Sequence, residues 1–365
     1  MLLLGLCTVS SLFGLVIIRS ATSGYANPNQ FVFVQFLAML MGIAAYVVLT
    51  VVDTEIIADK WVLLCAFNVF IMLLLIPFGY DDGTGNKSWL RFLGVGIQPS
   101  EVVKVVYIIV MAKQLSYLKN YKNLNAPMSV LQITVHFGLL FLLIIGISSD
   151  LGSALIIFFV FLIMVFAAGL KWQWIGAGVA LLAAVIPFAW TYVLHDYQKL
   201  RILAPYVPSI DPAGTGITWQ SNLSKMALAS GRLTGMGLGN GTQAQSSAFT
   251  GRHTDFIFAV IGEELGLIGC AVVILLLTAI IIRCVVIGLR SGSTFDMLLC
   301  FGVAAAIAFQ TYINIGMCIG ISPVIGITLP FFSYGGSSML TLFAAMGIVS
   351  GVRYRPRPTR FSVRY

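Results

Sequence analysis

Charge is scarce in this sequence: 9% of its 365 residues are Asp, Glu, Lys or Arg, against about 25% in soluble domains. With 59% of residues hydrophobic, a soluble fold is excluded, because its surface would still have to be wetted. Clustered cysteines are also lacking. Cys7, Cys65, Cys270, Cys284, Cys300 and Cys318 are scattered through apolar stretches, which suits small packing residues better than metal ligands. The three histidines are far apart, so no His/Cys spacing marks a metal site. No basic lead or small-residue cleavage site accompanies the first apolar stretch, Leu2 to Ile18, which therefore reads as a retained span rather than a signal peptide.

What is present is a succession of apolar runs of the roughly 20 residues that cross a bilayer. They predict an all-α, polytopic integral membrane protein, a single domain over 1–365. About ten helices are expected, near 2–18, 31–51, 61–77, 99–116, 129–147, 150–168, 171–194, 255–288, 294–318 and 334–352. Charges interrupt the fourth and the fifth touches the sixth, so nine or eleven are open. An open sheet cannot satisfy its backbone in lipid.

Lys and Arg orient the chain. With both termini inside, the inner loops hold Lys60, Lys113, Lys119, Lys122, Lys171, Arg283 and Arg290, and a basic tail over 353–365 adds Arg353, Arg355, Arg357, Arg360 and Arg364. The short outer loops hold only Arg19, Lys87 and Arg91. The formal charge of +8 is thus a membrane-orientation signal, and no nucleic-acid partner is expected; the tail would face anionic membrane lipids. One large outer segment, from His195 to Thr254, is polar and glycine-rich with no bilayer-length run. Within it, Gln220 to Ala229 could form a short amphipathic helix on the membrane surface. No internal repeat of the inverted-transporter kind is visible.

Ionisable residues at membrane depth cost at least ~2.5 kcal/mol each, which makes every one of them a functional candidate. In "SWLRFLGVGIQPSEVVKV", Pro99 opens a helix and places Glu101 and Lys104 at i,i+3 on one face; a packing ion pair explains them equally well. Trp89 and Arg91 stand just before, as interfacial anchors or phosphate contacts. Asp150 in "SSDLGSAL" is accounted for by helix capping. In "GRHTDFIFAVIGEELGLIG", Thr254 is a plausible cap that puts Asp255 in the first turn at the outer face. Glu263 would then lie about 80° around the helix from Asp255 and share its cavity wall, with Glu264 about 180° away. In "PVIGITLPFFSYGGSS", prolines and glycines break the helix at membrane depth, which backbone tolerates only when buried in protein or lining a cavity. Ser333, Ser337 and Ser338 offer hydroxyls there.

Taken in order, "WLRFLGVGIQPSEVVKV", "DLGSAL", "ASGRLTGMGLGNGTQ", "HTDFIFAVIGEELGLIG" and "PVIGITLPFFSYGGSS" resemble the RodA/FtsW (SEDS) family of cell shape, division and sporulation proteins. The similarity runs from "GLVIIRSAT" to Arg353. It implies a bacterial peptidoglycan glycosyltransferase that polymerises lipid II at the outer face of the cytoplasmic membrane, working with a class B penicillin-binding protein, a transpeptidase. It also implies that Asp255 is catalytic, that Trp89 is functionally important, and that Gln98, Ser100, Glu101 and Lys104 line the central cavity. His253, from the same motif as Asp255, joins Glu263, Ser333 and Ser337 as substrate-binding candidates. Arg91, Lys104, Lys225 and Arg232 compete to bind the leaving diphosphate. No cofactor is certain, though the oxygens of Asp255 and Glu263 suit Mg2+ or Mn2+. Three departures from the family pattern stand out: Ser148 and Ser149 before "DLG", the loss of the acidic neighbour before His253, and the missing cytoplasmic lead. The alternative classes are a lipid II flippase or other transporter, and a scaffold for the penicillin-binding protein.

Overall fold

A computed structural model describes residues 1–80, 87–92, 95–192, 194 and 196–354. His195 and the tail arginines Arg355, Arg357, Arg360 and Arg364 lie outside the described residues. The chain opens with α1 (Leu2–Ala21), α2 (Pro28–Val51), α3 (Thr54–Asp59), α4 (Trp61–Leu73) and α5 (Leu75–Phe78). Three short strands come next, β1 (Gly79–Tyr80), β2 (Trp89–Phe92) and β3 (Val95–Ile97). Then come α6 (Pro99–Tyr121), α7 (Pro127–Leu143), α8 (Leu151–Ala168) and α9 (Trp172–Tyr192). The outer segment carries α10 (Asp196–Leu203) and α11 (Trp219–Gly231), and the chain ends in α12 (Ile257–Leu289), α13 (Thr294–Ile319) and α14 (Gly336–Tyr354).

Among the described residues, nine helical stretches are long and apolar enough to cross a membrane, α4 and α5 forming one of them. The 23-residue α6 is long enough to be a tenth. Its charges do not interrupt it: the fourth expected span is one continuous helix. The junction between the fifth and sixth spans is a π-helical turn over Ile144–Ser148, with Ser149 next at φ 51°. That left-handed residue reverses the chain within two positions.

At the centre lies α13, packed on α6, α8, α11, α12 and α14, with 67% of its apolar window buried against 0% for α9. An apolar helix with no protein over it has lipid for its solvent. Small residues let backbones approach. At Gly347 of α14 a methyl group would come within 2.5 Å of the Tyr46 carbonyl on α2, and at Gly42 it would meet the Phe343 ring at 3.0 Å.

The all-α bundle carries one small sheet, in which β1, β2 and β3 pair antiparallel in that order, with Leu90 opposite both Gly79 and Ile97. Strands this short satisfy each other's backbone on the way into α6. Trp89 and Arg91, expected just before α6, sit on β2. The short helix expected over Gln220 to Ala229 forms as α11, which docks on α12 and α13 and buries Leu223, Ser224, Ala227 and Gly231. The approach is close because Gly231 has no Cβ, which would run into the Gly262 carbonyl. One expectation about the elements needs correction: α12 begins at Ile257, so Asp255 precedes the helix instead of occupying its first turn. The Thr254 hydroxyl donates back to Gly251 O (3.2 Å) rather than capping the helix.

Candidate active site

Asp255 stands on a turn that starts at Gly251, whose φ of 69° suits glycine. The Gly251 carbonyl accepts the N–H groups of Thr254 and Phe256, both at 3.1 Å. Side chains and backbone distant in sequence hold residues 253–255 in place. Tyr334 N donates to His253 O (2.9 Å), Ser333 Oγ to Thr254 O (2.6 Å), and Asn314 Nδ2 to Asp255 O (2.8 Å). The broken segment before α14 is thus a buckle for this turn. Its own backbone is paired in return: Ser333 Oγ accepts from Leu329 N, Gln35 brackets Ser333 O and Gly335 N, and Asn314 reaches Ile327 O.

Arg252, only 3% exposed, anchors the other side of the turn. Its guanidinium donates to the carbonyls of Ala21 (2.8 Å), Ser246 (2.7 Å) and Phe249 (3.0 Å) and lies 4.6 Å from the centre of the Tyr25 ring. His253 is enclosed by the rings of Tyr25, Phe31 and Tyr334 at 5.3–5.6 Å. Burial, with the Arg252 charge beside it, lowers its pKa to about 4, so the ring is neutral at physiological pH. Its Nδ1 is buried without a hydrogen-bond partner.

Asp255 remains partly exposed in a setting rich in protein. Desolvation raises its pKa to about 6, against the opposing pull of the Thr254 hydroxyl and the Arg201 charge. Arg201 itself lines a cavity of about 360 Å³ together with Asp211, Thr218, Asn222, Lys225, Gly320 and Val324. Gly320 (φ 79°) leaves room for the Lys225 stem, which passes 3.1 Å from where a Cβ would be. Asp211 braces this wall by accepting from Gly216 N, Thr218 N and Thr218 Oγ at 2.7–3.1 Å. Those hydrogen bonds hold its pKa below the usual carboxylate value. Arg201 is not among the residues that sequence motifs single out. Its only local signal is "DYQKLRIL", a short amphipathic stretch inside a segment that reads as loop.

A second polar cluster lies inside the bundle. Lys104 Nζ is 3.0 Å from Glu101 Oε1, with both side chains almost fully buried, and Thr341 Oγ1 donates to Glu101 Oε2 at 3.3 Å. Asp150 caps α8 through Ser153 N (2.9 Å), as expected, and does more. Its Oδ2 also accepts from Gln98 Nε2, Ser100 Oγ and Ser153 Oγ, and Ser337 Oγ accepts from Gln98 N at 3.3 Å. The "QPSE" and "DLGS" segments are therefore one network joining α6, α8 and α14.

Glu263 does not share a wall with Asp255. The 80° angle requires a continuous helix between them, and the helix starts only after Asp255. The fully buried Glu263 carboxylate instead accepts from Thr242 Oγ1, Gln243 N, Ala244 N and Ser230 Oγ, pinning the glycine-rich strap. That strap enters a break in α12 at Gly266 (φ 67°). There Leu267 N donates to Arg232 O, and Met236 N and Gly237 N donate to Glu263 O and Glu264 O, all at 2.9 Å. Arg232 has φ 48° and an exposed side chain. Trp89 packs on Gly96, and Arg91 stacks 3.7 Å over the Tyr80 ring; neither lines the cavity that holds Arg201 and Lys225. Among the described residues, no group of three or more His, Cys, Asp or Glu side chains could hold a metal.

Comparison with known proteins covers nearly the whole chain. Residues 1–357 match the FtsW/RodA/SpoVE family, described as cell cycle proteins. A peptidoglycan glycosyltransferase MrdB of Escherichia coli K12 is 34% identical over 315 residues, spanning 86% of this chain and 82% of the relative. A probable peptidoglycan glycosyltransferase FtsW of Geobacter metallireducens is 34% identical over 358 residues, 95% and 92% of the two chains. Among solved structures, a chain from a peptidoglycan synthase complex, studied for the coordination of polymerization and crosslinking, superposes with a TM-score of 0.78 at 26% identity. That match covers 97% of this chain and 98% of the other. The rod shape determining protein RodA of Thermus thermophilus shares the fold with a TM-score of 0.68 at 24% identity, covering 97% of each chain.

Proposed function

The chain belongs to the FtsW/RodA/SpoVE family of cell cycle proteins, and from that premise we propose that it is a multi-pass membrane peptidoglycan glycosyltransferase that polymerises lipid II, with Asp255 as general base. The observation that carries the assignment is a partly exposed aspartate on a turn held through its backbone, within the field of Arg201 and near the cavity that Arg201 lines with Lys225. Both termini face the cytoplasm in this reading, which puts Asp255 at the outer face where lipid-linked sugar is presented. Lys and Arg collect at the opposite end.

The step is a single displacement. The 4-hydroxyl oxygen of the acceptor sugar attacks the anomeric carbon of the donor MurNAc and forms the new glycosidic bond. The bond from that carbon to the diphosphate oxygen breaks, and undecaprenyl diphosphate leaves with the electron pair. The hydroxyl proton passes to the Asp255 carboxylate, and the displacement turns an α-linked donor into a β-linked strand. A base with a pKa near 6 is ionised at neutral pH yet still takes a proton readily. Arg201 and Lys225 neutralise the diphosphate as its charge develops. A divalent ion bound at Asp255 would draw its other oxygen ligands from water and the diphosphate, since the Glu263 oxygens already accept four protein donors. The cross-linking partner is a class B penicillin-binding protein. This is in keeping with the solved synthase complex, which couples polymerization to crosslinking.

Two outcomes test the roles. Strand synthesis stays level between about pH 7 and 8 and falls roughly tenfold per unit below about pH 6, because protonation removes the base. A rate unchanged down to about pH 5 would assign the proton elsewhere. Arg201→Gln lowers turnover by about 10²-fold, the scale of losing one donor to developing charge. Full activity in both Arg201→Gln and Lys225→Gln would move the diphosphate out of this cavity.

A further inference from the structure

Far from Asp255, the cavity at the other end of α12 has no part in this chemistry. It has a volume of about 370 Å³ and lies between the start of α1, the end of α12 and the end of α14, lined by Met1, Leu2, Leu3, Arg283, Ile287, Ser350, Arg353 and Tyr354. At 1.5 Å per residue, Arg283 lies roughly 40 Å along α12 from the Asp255 turn.

The lining is selective. Among the described residues, the charged side chains that line the cavity are Arg283 and Arg353, and no carboxylate does. Among the described residues, the ion pairs of Lys104, Lys113 and Lys199 do not involve Arg283 or Arg353. Arg283 is half-buried and Arg353 exposed, so one fork is held by packing and the other can swing onto a ligand. Two guanidiniums present parallel N–H donors matched to phosphate oxygens, and Ser350 adds a hydroxyl. Leu2, Leu3 and Ile287 form an apolar wall, and an exposed aromatic such as Tyr354 is at home at a bilayer interface.

We infer that this cavity binds the phosphate headgroup of an anionic phospholipid of the inner leaflet, with Arg283 and Arg353 as the phosphate ligands. The shared chemistry is a phosphate held by two arginine forks. The apolar wall favours the lipid as its source over free phosphate, since it matches the glycerol and upper acyl carbons. Basic pockets between transmembrane helices on the cytoplasmic side are suited to such headgroups. The site goes beyond polymerisation and would tie these three helix ends together with a lipid.

The test uses the full chain in detergent, titrated with dioleoyl phosphatidylglycerol, dioleoyl phosphatidylcholine or inorganic phosphate and read by native mass spectrometry. Wild type is expected to retain phosphatidylglycerol over phosphatidylcholine. Arg283→Gln with Arg353→Gln weakens that retention at least tenfold, and Lys119→Gln, an exposed cation outside the cavity, leaves it unchanged. Arg283→Lys with Arg353→Lys keeps the charge but loses the forks. It should still weaken binding several-fold, which keeps the test open if the glutamine pair does not fold. Equal retention by wild type and the lysine pair overturns the site, and inorganic phosphate displacing the lipid at equal concentration overturns the lipid as its occupant.

Discussion

Asp255→Asn lowers glycan polymerisation by about 10²–10⁴-fold, the usual contribution of a positioned base, while the protein keeps its fold and its melting temperature. The bonds that shape the turn reach backbone: Tyr334, Ser333 and Asn314 bond the carbonyls of residues 253, 254 and 255, and Arg252 bonds those of Ala21, Ser246 and Phe249. Removing the carboxylate therefore removes chemistry without removing support. Asp255→Glu is informative too. It restores a base but advances it by one methylene, and a misplacement of about 1 Å can cost on the order of 10²-fold. Polymerisation by Asp255→Asn at the wild-type rate would refute the base assignment.

Lys104→Ala destabilises the protein by about 3–5 kcal/mol, because it strands a buried carboxylate. Glu101 would be left with the Thr341 hydroxyl, at 3.3 Å, as a side-chain donor. The charge-free pair Lys104→Met with Glu101→Gln recovers most of that loss, since no uncompensated charge remains. Thermal unfolding in one detergent reads both. Equal destabilisation by the single and double variants would mean that the ion pair matters for its shape and not for its charge. The same comparison separates structure from catalysis: a double variant that is stable but inactive places Glu101 and Lys104 at the substrate.

Hydropathy shows the membrane bundle in advance because lipid exposure is a requirement on whole segments. Ten apolar runs therefore correspond to span-length helices, α6 included despite the charges it carries. What depends on one atom meeting another is harder to see. The docking of α11 turns on a missing Cβ at Gly231, and its apolar face reads equally well as a membrane-surface helix. Counting along a helix misplaces Glu263 because Gly251 starts a turn that delays α12 until Ile257. From its neighbours Asp150 looks like an ordinary cap, and its further donors Gln98 and Ser100 stand about fifty positions away in sequence. Arg201 escapes a motif search because only tertiary packing brings α10 near Asp255. Glutamates and cations named from motifs alone thus end in different places, among them Lys225 at the cavity, Glu263 in the strap's anchor, Glu101 and Lys104 in a buried pair, and Arg91 on a strand over Tyr80.

The most direct test gives purified lipid II to the wild-type protein in complex with the class B penicillin-binding protein proposed as its partner and resolves the products by size. Long glycan strands, with undecaprenyl diphosphate released and no strands from Asp255→Ala, are the predicted result. A folded wild-type complex that leaves lipid II unpolymerised yet carries it between the leaflets of a vesicle would overturn the enzymatic assignment and identify a transporter instead.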